Sequence, residues 1–276
     1  TGHYRAAMTL PAPTPGRTAL VTGASSGIGA EIARELAARG HHVTLVARTT
    51  AKLESLAEEL SATGGSAAVL TTDLSDRAAR AGLAARVEAL GLVPDVLVNN
   101  AGLSTLGPVS SSDPEAEMNL VEVDVTSVVD LCSRFLPGMV ERDRGAVLNV
   151  ASTAAFQPLP GQAAYGAAKA FVLSYTQSLA GELRGSRVTA TALCPGPVHT
   201  GFGERAGFAK EDAEAALPAV MWIDAAEVAR VAVEAMDRGR LVAIPGKVNR
   251  LAASLAQITP RSLLLPVLAK NHPGLK

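Results

Sequence analysis

Short runs of consecutive apolar residues alternate along this chain with longer segments whose apolar residues recur at helical spacing. The short runs are Thr18–Thr22, His42–Ala47, Ala67–Thr71, Val96–Asn99, Ala146–Val150, Val188–Leu193 and Leu241–Ile244. Each is rich in Val, Leu or Ile, the composition of strands buried on both faces. Between them, Gly29–Arg39, Ala51–Ala62, Arg77–Leu90, Ala116–Met139 and Ala163–Leu183 carry Ala-rich helical patterns. Strand, helix and strand repeated in this way predict an α/β fold, a parallel sheet wound on both sides by helices with right-handed crossovers. No solenoid period and no internal boundary appears, so one domain is predicted over residues 17–250. Residues 1–16, with Pro11, Pro13 and Pro15, read as a flexible arm. Residues 251–276 read as an apolar extension, in which Pro260 and Pro266 break Leu251–Leu268 into a buried or partner-facing flap. The alternation lapses at 196–222, where Gly, Pro, charge and the exposed-looking aromatics Phe202, Phe208 and Trp222 mix. A loop of that length predicts a lid beside a ligand site.

Composition narrows the classes. With 276 residues, 48% of them hydrophobic, and a formal net charge of −1, the chain can bury a substantial core and is not a long disordered protein. The same near-neutral charge argues against a general nucleic-acid binder. Cys132 and Cys194 cannot make a disulfide framework, and neither they nor the five histidines show metal-ligand spacing, so a reduced, cytoplasmic protein without a structural metal is expected. No run of about 18 apolar residues predicts a transmembrane helix.

The first strand runs into Gly23-Ala24-Ser25-Ser26-Gly27-Ile28-Gly29, and a helix pattern follows at once. In such a turn Gly23 permits the sharp bend, Gly27 removes a Cβ that would block a ligand, and Gly29 allows close helix–strand packing. The backbone N–H groups of Ser25, Ser26 and Ile28 and the helix N-terminus then favour a phosphate, which predicts dinucleotide binding. The second strand ends Val46-Ala47-Arg48, with no carboxylate to meet a ribose 2′-hydroxyl and with a guanidinium suited to a 2′-phosphate. NADP(H) is therefore expected over NAD(H).

Ser152 follows the strand Ala146–Val150, and Tyr165 and Lys169 stand four residues apart. On a helix, i and i+4 share a face, so phenol and ammonium can point into one site. A free phenol ionises at about 10. A nearby ammonium and an oxidised nicotinamide would favour the phenolate and bring Tyr165 towards a working range, while Ser152 holds the substrate oxygen.

At this point the chain resembles the short-chain dehydrogenase/reductase family, through Thr22-Gly23-x-x-x-Gly27-x-Gly29, Asn99-Asn100-Ala101-Gly102, Ser152, Tyr165-x-x-x-Lys169 and Pro195-Gly196. The resemblance spans about residues 17–246 and implies a single Rossmann-like domain with seven parallel strands in the order 3-2-1-4-5-6-7. It implies an adenine contact at Asp73, supported by Leu74, and a turn at Asn99, Ala101 and Gly102 that stabilises the central sheet and lines the cofactor. It further implies that Lys169 holds the nicotinamide ribose and that Pro195, Gly196, Val198 and Thr200 touch the nicotinamide amide or diphosphate. One departure stands out. Where many members carry an asparagine that steadies a water in the proton relay, this chain has Asp124, which would hold the water or raise the Tyr165 pKa by its charge.

The stretches expected to line the substrate, Ala154, Ala155, Phe156 and the lid, are mostly apolar and carry no evident carboxylate or phosphate anchor. They predict an apolar carbonyl or secondary alcohol as substrate. Within the family the chain looks most like reductases of acyl-chain carbonyls, ketoacyl reductases included. A hydrolase is disfavoured because Ser152 lacks a Gly-x-Ser-x-Gly turn. The competing non-enzyme reading is a cofactor sensor or structural protein on the same fold. Family resemblance also implies a homodimer or homotetramer through the helices at Ala116–Met139 and Ala163–Leu183.

Overall fold

A computed structural model of the chain describes residues 10–207, 217–271 and 273–275. Most of the predicted arm (1–9), the middle of the predicted lid (208–216, with Phe208) and His272 and Lys276 lie outside the described residues.

The seven apolar runs form one parallel sheet: β1 (Arg17–Thr22), β2 (His42–Ala47), β3 (Ser66–Thr71), β4 (Val93–Asn99), β5 (Gly145–Val150), β6 (Val188–Leu193) and, at its edge, Val242–Ala243. Two short strands, β7 (Val198–His199) and β8 (Ile223–Asp224), pair separately within the lid region, so the edge strand is β9 and the order reads β3-β2-β1-β4-β5-β6-β9. This is the order the family resemblance implied, with the last strand renumbered. The crossovers are α1 (Gly27–Ala38), α2 (Thr50–Ala62), α3 (Arg77–Ala89), α4 (Pro114–Val121), α5 (Ser127–Glu141) and α6 (Ala163–Glu182). A short α7 (Phe202–Arg205) follows, then α8 (Ala225–Asp237), α9 (Lys247–Ile258) and α10 (Arg261–Asn271).

Alternate strand residues feed two separate cores, as the period of two along a strand demands. Ala19, Val21, Val96, Val98 and Leu148 pack under α1, α2 and α8. Leu20, Leu97 and Val147 pack on the other face with α3, α5, α6 and α9. Both faces are covered, which is why the strands carry so few polar residues.

Two elements differ from the sequence expectation. The helix expected over Ala116–Met139 is interrupted by a π-helical turn, Glu122–Thr126, that joins α4 to α5. The extra residue per turn carries Asp124 inward, where only 1% of it is exposed. The extension expected as a buried or partner-facing flap forms two consecutive helices, α9 and α10, and Pro266 is accommodated inside α10.

Candidate active site

Parallel strands deliver their carboxyl ends to one edge of the sheet, and the loops leaving that edge gather the predicted residues. Gly23–Gly29 follow β1, Arg48 follows β2, Asp73 and Leu74 follow β3, and Asn99–Gly102 follow β4. Ser152 follows β5 and Pro195–Thr200 follow β6. Tyr165 and Lys169 come from α6, and Asp124 from the π turn.

Thr22 and Asn100 lock the glycine turn. Thr22 Oγ1 donates to Val98 O at 3.2 Å and accepts from the N–H groups of Asn100 (2.9 Å) and Ala101 (3.1 Å). Asn100 Nδ2 donates to Thr22 O at 2.9 Å. The turn is so close that a Cβ on Gly29 would stand 2.3 Å from Asn100 Nδ2 and 2.4 Å from Gly23 O. Gly23 has a φ of +64°, the left-handed region glycine enters freely. Gly27 faces Thr200, whose Cγ2 would lie 3.1 Å from an added Cβ, so the β1 and β6 loops meet there. Helix α1 starts at this point with no acidic residue in its first turn, leaving its free N–H groups uncontested by a carboxylate.

Along the neighbouring strand ends, Arg48 is exposed. Burial works against the charge on Asp73, yet the bonds from Ser75 N–H (2.9 Å) and Ser75 Oγ (2.7 Å), with the Arg48 charge, hold its carboxyl below the ordinary aspartate value. A cleft between α1 and α2 is lined by Ser25, Lys52 and Ser55. Arg34 also borders this cleft but is committed to Glu31 (2.8 Å) and Glu59 (2.7 Å). Beneath Leu74, whose carbonyl accepts from its guanidinium, Arg80 is 1% exposed and pairs with Glu122 (3.0 Å) and Asp130 (3.4 Å). One side chain thus ties the Asp73 loop to the π turn.

At the centre, Lys169 Nζ donates to Val150 O at 3.2 Å and forms an ion pair with Asp124 Oδ2 at 2.9 Å. Asp124 Oδ1 accepts from Leu103 N–H at 2.7 Å. The Asp124 carboxylate therefore faces Lys169 and the β4 loop, and of its two expected roles its charge acts on the Tyr165 phenol in the expected, upward direction. Gly102 sits tightly against this pair, since a Cβ there would lie 3.1 Å from Asp124 Oδ2 and 3.2 Å from Lys169 Nζ. The Lys169 ammonium stands 5.6 Å from the centre of the Tyr165 ring. Ser152 Oγ accepts from Ala154 N–H at 3.1 Å and lies within reach of the Tyr165 hydroxyl.

The electrostatics differ from the simple expectation for Tyr165. Burial pushes its phenol above the ordinary value and the Asp124 charge adds to the push. Lys169 and the hydrogen bond to Ser152 pull it down without prevailing. Burial would lower the Lys169 ammonium, but Asp124, with Tyr165, holds it above its ordinary value. Asp124 itself is raised, chiefly by burial, with Lys169 opposing.

The Asn99 side chain braces the central sheet, donating to Asn149 Oδ1 on the paired strand at 2.8 Å, and Asn149 Nδ2 donates on to Thr176 Oγ1 at 2.9 Å. Ala154 and Phe156 are buried, and Phe156 belongs to the core under the sheet. Phe202 and Trp222 are half-buried rather than exposed: Phe202 lies 6.0 Å from the Tyr165 ring, and Trp222 stacks on His199 at 5.0 Å. Both free thiols are buried, and burial pushes Cys132 up to about 11 and Cys194 up to about 12. Thr22, Lys52, Arg80 and Asn100 contribute to this edge without having been singled out for it. Thr22 and Asn100 both stand inside the family motifs, whereas nothing local in the sequence marks Arg80.

A doubly wound sheet, with a glycine turn opening α1 and a Ser, Tyr and Lys at the adjoining strand ends, defines a nucleotide-binding α/β protein of the Rossmann type. The short chain dehydrogenase family profile matches residues 17–210, and the chain belongs to that family. A short chain dehydrogenase of Pseudocercospora fijiensis is 40% identical over 191 residues, 68% of this chain. The match spans only 62% of that relative's length. Among solved structures, a short-chain dehydrogenase from Sphingobium yanoikuyae in complex with NADPH superposes with a TM-score of 0.77 at 33% identity, covering 91% of this chain and 95% of its own. A variant of actinorhodin polyketide ketoreductase with NADPH gives 0.72 at 32% identity, covering 83% and 97%. Among the described residues, no helix is long and apolar enough to cross a membrane.

Proposed function

We propose that this protein is an NADP(H)-dependent oxidoreductase that interconverts apolar ketones, acyl-chain ketones among them, and their secondary alcohols. The observation that carries the reading is the Tyr165 phenol within reach of Ser152, with the Lys169 ammonium 5.6 Å from its ring and the glycine turn opening on the same sheet edge. Binding of NADPH by the Sphingobium enzyme and the ketoreductase supports the choice of cofactor.

The residues fit a dinucleotide. The turn from Gly23 to Gly29 leaves backbone N–H groups and an acid-free helix start for the diphosphate, with Ser25, Ser26 and Ile28 at its rim. Arg48 offers an exposed guanidinium for a 2′-phosphate, and Lys52 is a second cation on the neighbouring helix. Asp73 and Leu74 would flank the adenine. Ala101, Gly102, Pro195, Gly196, Val198 and Thr200 would flank the nicotinamide end. When bound, NADPH supplies the hydride.

This chain's residues handle the oxygen and the proton. Ser152 Oγ donates to the carbonyl oxygen and holds it beside Tyr165. The raised phenol keeps Tyr165 protonated at neutral pH, so Tyr165 Oη has a proton to give as the carbonyl oxygen gains charge. Lys169, held cationic by Asp124, then stabilises the phenolate. This arrangement favours reduction at neutral pH and oxidation at alkaline pH. Self-association through α5 and α6, which expose Val140 and Phe171, and a cytoplasmic setting for two unreactive thiols belong to the same reading.

The test follows NADPH fluorescence on adding the protein, then on adding ketones and ketoacyl thioesters of increasing chain length. Enhancement with NADPH and not NADH, followed by a decay that Tyr165→Phe abolishes while binding persists, is expected. Binding without decay across the panel would favour a cofactor sensor, and no binding of either cofactor would overturn the proposal.

A further inference from the structure

The outward surface of α9 and α10 is unlike the rest of the molecule. On α9, Val248, Leu251, Leu255 and Ile258 recur at spacings of three and four, so they form one stripe. All four are exposed, Leu251 at 62% and Ile258 at 77%. The opposite stripe of the same helix, Asn249, Ala253 and Ala256, is the buried one. Asn249 Nδ2 donates to Met221 O at 2.9 Å and fixes which way the helix faces. The core is therefore satisfied by small residues, and the large apolar ones are turned out. Helix α10 continues the pattern with Leu263 at 66% and Val267 at 57% exposed.

Charge accompanies the apolar stripe. Residues 247–271 contain Lys247, Arg250, Arg261 and Lys270 and no Asp or Glu, in a chain whose net charge is −1. The remainder of the molecule is therefore acidic, and the field of the whole protein orients this face towards negative charge. The two helices are anchored rather than loose. Arg261 donates to Ala256 O at 3.1 Å and to Phe156 O at 3.2 Å, joining both helices to the loop after Ser152.

We propose that the outer face of α9 and α10 docks on an anionic lipid surface, with Leu251, Leu255, Ile258, Leu263 and Val267 entering the headgroup–acyl boundary and Lys247 and Lys270 meeting lipid phosphates, while Arg250 turns instead towards Ile244 O. An amphipathic helix with cations beside a wide apolar stripe is suited to lie in that boundary. A second copy of the chain fits the same face poorly, because two such surfaces would bring cations against cations with no carboxylate between them. The proposal rests on exposure and charge and is independent of the reaction assigned above.

Flotation of the full chain with vesicles tests it, using phosphatidylcholine mixed with phosphatidylglycerol and phosphatidylcholine alone. Binding to the anionic vesicles is expected, weakening with salt, and far less binding to the neutral ones. The triple variant Leu251→Ser, Leu255→Ser, Ile258→Ser and the double variant Lys247→Glu, Lys270→Glu should each weaken binding by about tenfold or more. These side chains are exposed, so unchanged melting temperatures will accompany the loss. No binding to the anionic vesicles, or binding that both variants retain in full, would overturn the proposal. So would a solution oligomer that the triple variant alone dissociates, which would assign the face to a second copy.

Discussion

Replacing Asp124 by asparagine removes one negative charge from the centre of the site and little else. Asparagine keeps an oxygen to accept from Leu103 N–H, and Lys169 keeps Val150 O. What disappears is the attraction across 2.9 Å to the Lys169 ammonium. At an effective dielectric near 20 that attraction is about 6 kcal/mol. Much of it is offset, because the variant no longer buries a carboxylate, and Lys169 can shed its proton. A net destabilisation of about 1–3 kcal/mol at neutral pH is expected, roughly 2–10 °C in melting temperature. The pH dependence is sharper than the magnitude. In the wild type the folded Lys169 value lies above the unfolded 10.5, so its stabilisation is fully present below pH 10.5 and is lost as pH rises through the folded value. In Asp124→Asn the largest remaining influence is burial, which puts the folded value below the unfolded one. The variant should therefore gain stability as pH rises towards 10.5, over a range where Lys169 leaves the wild type flat. Asp124 also raises Tyr165, so alcohol oxidation by the variant should reach its plateau at lower pH. Melting curves from pH 7 to 10.5 and a pH–rate profile read both effects. Parallel stability curves together with an unmoved alkaline limb would refute the reasoning.

Three further outcomes follow from the same contacts. Gly29→Ala places a Cβ 2.4 Å from Gly23 O, a backbone atom that cannot swing aside, so urea denaturation should show a loss of about 1–3 kcal/mol despite alanine's better helix propensity. Arg80→Met leaves Leu74 O without its donor and Glu122 and Asp130 without their cation. Because those carboxylates are 40% and 22% exposed and can turn to water, a loss of about 2–3 kcal/mol is expected by the same assay, accompanied by weaker NADPH binding. Arg48→Ala should raise the NADPH dissociation constant roughly 10- to 100-fold in a fluorescence titration, as expected for a charge-assisted contact, and leave NADH unaffected.

The sheet was legible because its strands are buried on both faces. Val96–Asn99 or Ala146–Val150 carry no outward polar stripe to confuse the period, and the helices between them are long enough to separate cleanly. The glycine turn was legible for a related reason. Gly23 and Gly29 are demanded by local crowding against Asn100 and Ala101, so the requirement is written at the positions themselves. Tyr165 and Lys169 needed only helical spacing to be joined, and Ser152 only the end of a strand.

Pairing across long distances in the chain was not legible in the same way. Asp124 meets Lys169 because a π turn rotates it inward, and no residue of Glu122–Thr126 announces that turn. Nor does composition place an aspartate 2.9 Å from a buried ammonium; that contact exists only in the folded chain. Arg80 is hidden for a similar reason: a lone arginine in a helical pattern reads as solvated, and only the packing of α3 on α5 makes it a buried bridge. The extension after residue 247 is a different case, since its apolar residues read equally as buried or partner-facing. Asn249, Ala253 and Ala256 already fill the contact with the core, so the large apolar side chains turn outward. Hydrophobicity alone predicts that a residue will leave water; which surface receives it depends on what else competes for the core.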